Sequence, residues 1–143
     1  MPGITEVAGT LNAQAKNTVV IWYQHVRKWH TFSVKTGGVL QDVSSYVFTL
    51  ANSVSTVTYA NKKLESVEEP DNPQPTIVSP RILDSPRTGQ KILEIPADCY
   101  TGDVEYNATE RKAVTTDVTY TKPSGEQEFM RFTIIPFKAK ETA

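Results

Sequence analysis

The sequence is poor in the residues that cross-link or catalyse in small domains. Among 143 residues it contains one cysteine, Cys99, and two histidines, His25 and His30. A single cysteine excludes a disulfide within this chain, whereas small secreted domains usually carry several. The stretch Met1–Glu6 also lacks the basic and apolar regions of a signal peptide. We therefore expect folding in a reducing cytoplasm.

Neither sign of charge dominates, and no long apolar run is present. The chain has 15 Lys and Arg against 16 Asp and Glu, for a net charge of −1. Without a basic stripe there is no electrostatic basis for binding phosphates, so we expect no nucleic-acid partner. No apolar run approaches the roughly 20 residues of a membrane-spanning helix, so we expect no membrane partner. The small cluster of Arg27 and Lys28 is predicted to be a solvated rim.

The few potential metal ligands have no recognisable spacing. His25, His30 and Cys99 could ligate a metal, but a fourth ligand is missing and nothing resembles a zinc finger or ribbon. The same residues have no sequence context that pairs them as a Cys–His nucleophile. We predict no metal and no cofactor.

Four carboxylates lie close in sequence, at Glu94, Asp98, Asp103 and Glu105. A glycosidase needs two carboxyl groups that flank the scissile bond. Strand alternation, however, places Asp103 and Glu105 opposite the apolar Val104, on a face that meets solvent. We therefore predict a protein without catalytic residues, which is not an enzyme.

What the sequence does contain is a series of strand-like segments. Apolar and polar residues largely alternate in them, which is typical of strands with one face in a core. Pro and Gly, nine and seven in number, stand mostly between these segments and favour turns. The predicted strands are residues 18–24, 29–35, 46–50, 56–59, 91–96, 103–109, 115–121 and 128–137. The pattern predicts an antiparallel β-sandwich with Phe132 and Ile134 in its core.

The aromatic residues could form a surface on which sugars stack. They are Trp22, Tyr23, Trp29, Tyr59, Tyr100 and Tyr106. Aromatic residues on strands are more often core than exposed. Stacking on a sugar is therefore kept as an alternative to a purely structural role.

The domain organisation is simple. We predict an N-terminal arm over residues 1–16, one β-sandwich domain over 17–138 and a short tail over 139–143. Four prolines and an acidic cluster within residues 67–80 predict a long excursion between strands, which extends over residues 67–89. Long excursions in compact domains are usually functional or disordered. Partner contact is therefore predicted there, through Ile77 and Val78.

The arm has its own pattern. Ile4, Val7 and Leu11 follow at spacings of three and four, which fits one face of a short helix, although two glycines weaken that interpretation. The arm is either frayed or ordered against a neighbouring subunit. In the second case these three side chains form an interface.

Three stretches of the sequence resemble a known family. They are Asp42–Tyr46, within QDVSSYVFTL, Thr101–Tyr106, within YTGDVEYNAT, and Ser124–Pro136, within SGEQEFMRFTIIP. Together they resemble the immunoglobulin-like N-terminal module of phage baseplate upper and receptor-binding-protein-carrier proteins. The likeness covers about Trp29 to Phe137. It departs from the family at Val43, where leucine is usual, and in the length of the Pro-rich excursion.

The resemblance implies an immunoglobulin-like sandwich of about seven strands and a place in a tailed-phage virion, assembled in the host cytoplasm. The expected function is that of a non-enzymatic tail or baseplate adaptor present in multiple copies. Its expected partners are other virion proteins and further copies of itself, as a trimer or hexamer. A head decoration, head-fibre or neck protein on the same fold is one alternative. A carbohydrate-binding module for the host surface is the alternative from another class.

Overall fold

The computed structural model describes residues 17–36, 38–70, 77–104 and 109–138. These residues contain strands and no helix, so no helix among them could cross a membrane. The all-β fold predicted from the alternation is confirmed. In chain order the strands are β1 (Asn17–Tyr23), β2 (Lys28–Ser33), β3 (Lys35–Thr36), β4 (Val39–Leu40), β5 (Val47–Ala60), β6 (Lys63–Pro70), β7 (Arg81–Asp84), β8 (Gln90–Ile95), β9 (Glu110–Thr121) and β10 (Gln127–Phe137).

Two sheets pack face to face. The larger has the order β1-β10-β9-β5-β6, the smaller has the order β2-β8-β7, and β3 with β4 forms a separate ribbon. Trp22 and Phe132 of the larger sheet belong to one buried cluster with Leu93 and Ile95 of the smaller sheet. A core shared in this way makes the fold a β-sandwich. The immunoglobulin-like connectivity stays a prediction.

Strand alternation selects the side chains that enter the core. On β10, Phe132 is 1% exposed and Ile134 is fully buried. On β9, Val114 and Val118 face the same cluster. Phe129, at the outward parity of β10, is 65% exposed. The predicted inward placement of Phe132 and Ile134 is confirmed.

One strand pair is parallel. β1 runs parallel to β10, from Asn17 beside Arg131 to Tyr23 beside Phe137, whereas every other pair is antiparallel among the described residues. A parallel pair needs a long crossover rather than a hairpin. Here the crossover is almost the whole domain, so local alternation gave no sign of it.

Two predicted strands are one. Residues 46–50 and 56–59 were expected to be separate, but β5 continues through Ala51–Ser55 and pairs with β9 along that stretch. The stretch contains no Gly or Pro that would end a strand. The pairing with β9 therefore runs without a break across this stretch.

The strand predicted over 103–109 is wrong in its described part. Asp103 and Val104 belong to no strand, and residues 105–108 lie outside the described residues. The preceding backbone is held by a side chain instead. Gln24 Nε2 donates to the carbonyl oxygens of Tyr100 and Gly102, each at 2.8 Å.

The excursion predicted over 67–89 is shorter than expected. Its first residues belong to β6, which ends at Pro70, and Arg81–Asp84 form β7. Proline is tolerated in β6 because β6 is an edge strand, whose outer side needs no ladder hydrogen bond. Residues 71–76 lie outside the described residues.

A second apolar cluster covers the other face of the larger sheet. Val57, Ala113 and Ile135 are at most 1% exposed there. The half-buried side chains that pack against them are Val19, Ile21, Tyr59, Leu64, Val67 and Phe137. A groove of about 670 Å³ is lined by residues of both edge strands, β1 and β6. The sheet is therefore curled enough to bring its two edges towards each other.

Replacing Phe132 with Ala tests the inward face of β10. The change should lower the free energy of unfolding by about 3–5 kcal/mol, because it leaves a cavity in the shared core. Urea unfolding followed by intrinsic fluorescence measures the loss. Phe129→Ala is the matched control on the same strand, and it should cost less than about 1 kcal/mol. Equal losses for the two variants would contradict the assignment of faces.

Two glycines with nearly the same backbone conformation allow a second test. Gly38 has φ +80° and Gly89 has φ +82°, so Ala at either should cost about 1–2 kcal/mol. A Cβ at Gly38 meets nothing within 4 Å, but one at Gly89 lies 2.9 Å from the Leu40 side chain and 3.1 Å from the Gln41 carbonyl oxygen. Thermal unfolding should show the larger loss for Gly89→Ala. An equal loss would show that this contact relaxes freely.

Candidate functional site: the Arg–Trp face of the smaller sheet

Strand pairing places three functional side chains in one row across the smaller sheet. Trp29 on β2 and Arg81 on β7 both pair with Glu94 on the central strand β8. On each strand, a residue adjacent to the row points towards the core. These inward neighbours are His30, Leu93 and Ile82. The row therefore lies on the outer face of the sheet.

A buried carboxylate stands at the centre of the row. Glu94 is 6% exposed, and its Oε1 accepts a hydrogen bond from Arg81 Nε at 2.8 Å and a closer one from Arg81 Nη2. Arg27 Nε lies 3.8 Å from its Oε2. The Arg81 hydrogen bonds hold the pKa of Glu94 below its ordinary value. A buried charge is tolerated here because it is paired.

Above the carboxylate, an arginine stacks on the tryptophan. The Arg27 guanidinium lies 4.6 Å from the centre of the Trp29 ring system, within the range of a cation–π contact. Trp29 is 51% exposed, and the side chains of Arg27 and Arg81 are 56% and 66% exposed. Each arginine is anchored at Glu94 and leaves much of its surface in solvent. This arrangement lowers the conformational entropy that a binding partner would have to remove.

The turn between β1 and β2 extends the surface. Val26 is 52% exposed, and its carbonyl oxygen accepts a hydrogen bond from Trp22 Nε1 at 2.7 Å. His25 adopts φ 69°, and its backbone N–H donates to Ala97 O at 3.0 Å. Because the turn is tied to the core and to a neighbouring loop, Val26 is held beside Arg27. Val26, Arg27, Trp29 and Arg81 around Glu94 are called the Arg–Trp face below.

The Arg–Trp face has the composition of a binding surface. Tryptophan and arginine are enriched in the residues that dominate protein–protein affinity. The exposed indole offers apolar area, and the two guanidinium groups offer donors for carboxylates. These side chains can make apolar and charge-assisted contacts.

The solvated rim predicted at Arg27 and Lys28 is confirmed in part. Arg27 is exposed but stacks on Trp29, whereas Lys28 is half-buried and its Nζ donates to Ile21 O at 2.8 Å. Glu94, one of the four carboxylates considered for catalysis, is buried and paired with two arginines. The alternation of Arg27 and Trp29 along one strand end is the signal in the sequence that could have indicated the face.

The interface residues predicted from the sequence differ in their burial, and three of them lie outside the described residues. Ile77 packs against the core and pairs with Tyr100, whereas Val78 is 41% exposed. Ile4, Val7 and Leu11 lie outside the described residues. None of the described ones belongs to the Arg–Trp face.

The residues considered for metal binding are held in other environments. Cys99 is buried, and burial raises the pKa of its thiol to about 12. His30 packs edge-on against Phe132 at 5.9 Å, and its burial, followed by the charge of Lys28, lowers its pKa. Within the part of the chain that the structure describes, no group of three or more His, Cys, Asp or Glu could hold a metal ion.

The aromatic residues divide between core and surface. Trp22 and Tyr100 are buried, as predicted for most of them, and Tyr59 packs in the second apolar cluster. Tyr23 and Trp29 are half-exposed. Tyr106 lies outside the described residues.

Comparisons with protein-family models, with curated proteins and with solved structures find no match to this chain.

Glu94 gives the Arg–Trp face a measurable pH dependence. A carboxyl group whose pKa is lowered in the folded protein stabilises the fold above its ordinary pKa, near 4.3, and this stability is lost as the pH falls through the lowered value. Arg81→Ala should raise the pKa of Glu94 towards the ordinary value, whereas Arg81→Lys should raise it less. Carbon-detected NMR titration of the Glu94 carboxyl group measures both. A wild-type pKa at or above the ordinary value would contradict the pairing.

Proposed function

We propose that the protein is a non-enzymatic structural component of a tailed bacteriophage particle, a tail or baseplate adaptor present in multiple copies. In this role it binds its neighbours through the Arg–Trp face. The family resemblance over Trp29–Phe137 and the β-sandwich fold support the proposal. A sandwich presents fixed surfaces on both sheets and suits a part that acts by being docked.

The observation that carries the proposal is the half-exposed side chain of Trp29, which stacks with Arg27 and lies on the strand position paired with Glu94. An exposed indole costs free energy in water, and large apolar side chains left exposed in a group mark interaction sites. Val26, three residues earlier in the chain, has a similar exposure of 52%. If a neighbour buried the side chains of Trp29 and Val26, the burial would stabilise the assembly.

The charges of the Arg–Trp face define the chemistry of the neighbour. Two arginines share one carboxylate, so the face keeps an excess positive charge at its rim. Because each guanidinium has further N–H donors, a second carboxylate can bind without displacing Glu94. The neighbour should therefore present carboxylates around an apolar contact.

Two alternatives remain. A head decoration, head-fibre or neck protein would use the same fold and the same kind of contact at another place in the particle. A carbohydrate-binding module is favoured by the exposed ring of Trp29, since sugars stack on aromatic faces. Arg27 already covers part of that ring, which leaves less of it for a sugar.

Incorporation into particles tests the proposal. Mass spectrometry of purified tailed particles should find the chain in several copies per particle. When Arg27→Ala and Trp29→Ala are combined, the chain should fold but its copy number should fall, because each 1.4 kcal/mol lost in docking raises the Kd for its neighbours about tenfold.

Phe129→Ala is the control, because it removes an aromatic ring that is 65% exposed on the other sheet. Its copy number should match that of the unchanged chain. Absence of the chain from purified particles would overturn the proposal. Specific binding on a glycan array, lost with Trp29→Ala, would favour the carbohydrate-binding alternative.

A further inference from the structure

A second charged surface lies on the edge of the larger sheet. Glu65, Glu68 and Glu69 of β6 are exposed, and among the described residues none of them takes part in an ion pair. The same strand ends in the exposed Pro70. Because β6 pairs only with β5, its outer backbone groups are unpaired among the described strands. These four residues are called the acidic edge.

We propose that the Arg–Trp face of one copy binds the acidic edge of the next copy. This inference rests on the proposed function, in which several copies assemble, and it names the contact between them. The two surfaces have opposite charge. The Arg–Trp face carries two partly exposed guanidinium groups, and the acidic edge carries exposed carboxylates. Charge complementarity of this kind selects partners and fixes their register.

The two surfaces cannot meet within one copy. The Arg–Trp face is on the outer side of the smaller sheet, whereas β6 is the terminal strand of the larger sheet. The contact therefore joins different patches on two copies and is heterologous. Repetition of a heterologous contact closes into a ring when the rotation between copies allows it, and otherwise forms a filament.

Three of the four residues of the acidic edge have counterparts on the Arg–Trp face. Carboxylates of Glu68 and Glu69 can accept hydrogen bonds from the free N–H donors of Arg27 and Arg81, as charge-assisted pairs. The ring of Pro70 offers an apolar surface to the exposed indole of Trp29. Glu94 stays bound to both arginines, so the contact leaves no buried charge unpaired.

Disulfide trapping between copies tests the contact. In the variant that combines Val26→Cys with Glu69→Cys, mild oxidation should produce a ladder of covalent dimers, trimers and longer species on a non-reducing gel. Each single variant should stop at the dimer, because it carries one reactive thiol per copy. Native Cys99 does not interfere, since it is fully buried.

The controls separate specific contact from random collision. Val26→Cys with Glu126→Cys places the second thiol on an exposed turn away from the acidic edge, and its ladder should form at least about fivefold more slowly. Adding Glu68→Lys to the test variant should slow the ladder by a similar factor, as should 0.5 M salt, which screens charges beyond roughly 4 Å. Equal rates in test and control variants, or no effect of Glu68→Lys, would overturn the proposed contact.

Failure of this contact and failure of the proposed function give different results. A chain that is abundant in purified particles but gives no specific ladder would refute this contact and leave the virion role standing. A specific ladder from a chain that is absent from particles would support self-assembly and refute that role.

Discussion

Burial of the larger sheet on both faces is the constraint on which the rest of the structure depends. Its central strand, β9, carries Val114 towards the core shared with the smaller sheet and Ala113 towards the second apolar cluster. A strand buried on both sides must satisfy every polar group it carries. The hydroxyl groups of Thr115 and Thr116 do so across the strand pair with β5, each at 2.7 Å from a side-chain oxygen.

This constraint places few demands on the outer face of the smaller sheet. The smaller sheet joins the shared core through its inner face alone, so the outer face of β2, β8 and β7 need not be covered to stabilise the fold. Glu94 can then be used to fix two arginines beside an exposed tryptophan rather than to contribute apolar burial. An ion pair of this kind adds little stability by itself, and its value lies in fixed geometry.

Local alternation in the sequence was enough for the fold class and for much of the core. It identified β8 and β10 to within one residue at either end and placed Phe132 and Ile134 correctly. It could not show which strands are neighbours, because pairing depends on contacts between residues far apart in the chain. The parallel neighbours β1 and β10, the continuity of β5 and the strand β7 inside a Pro-rich stretch are all consequences of such contacts.

The same limit applies to the candidate site. Trp29, Glu94 and Arg81 stand on three strands spread over more than 50 residues of sequence, and only their register brings them into one row. Read singly, each has an ordinary interpretation as an exposed aromatic residue or a solvated charge. Ile77 is a related case, since its pairing with Tyr100 brings it partly onto the core, and its predicted role in partner contact stays a prediction.

The parallel alignment of β1 with β10 sets how the domain would bear mechanical load. The domain is entered at Asn17 and left at Phe137, and these residues lie at opposite ends of the same ladder of seven pairs. Tension applied to the two chain ends therefore slides the strands along each other and stresses all seven pairs together. A hairpin pulled at its open end would instead unzip one pair at a time. Resistance to extraction by force is governed by the unfolding rate, and this shear geometry lowers that rate without any added equilibrium stability.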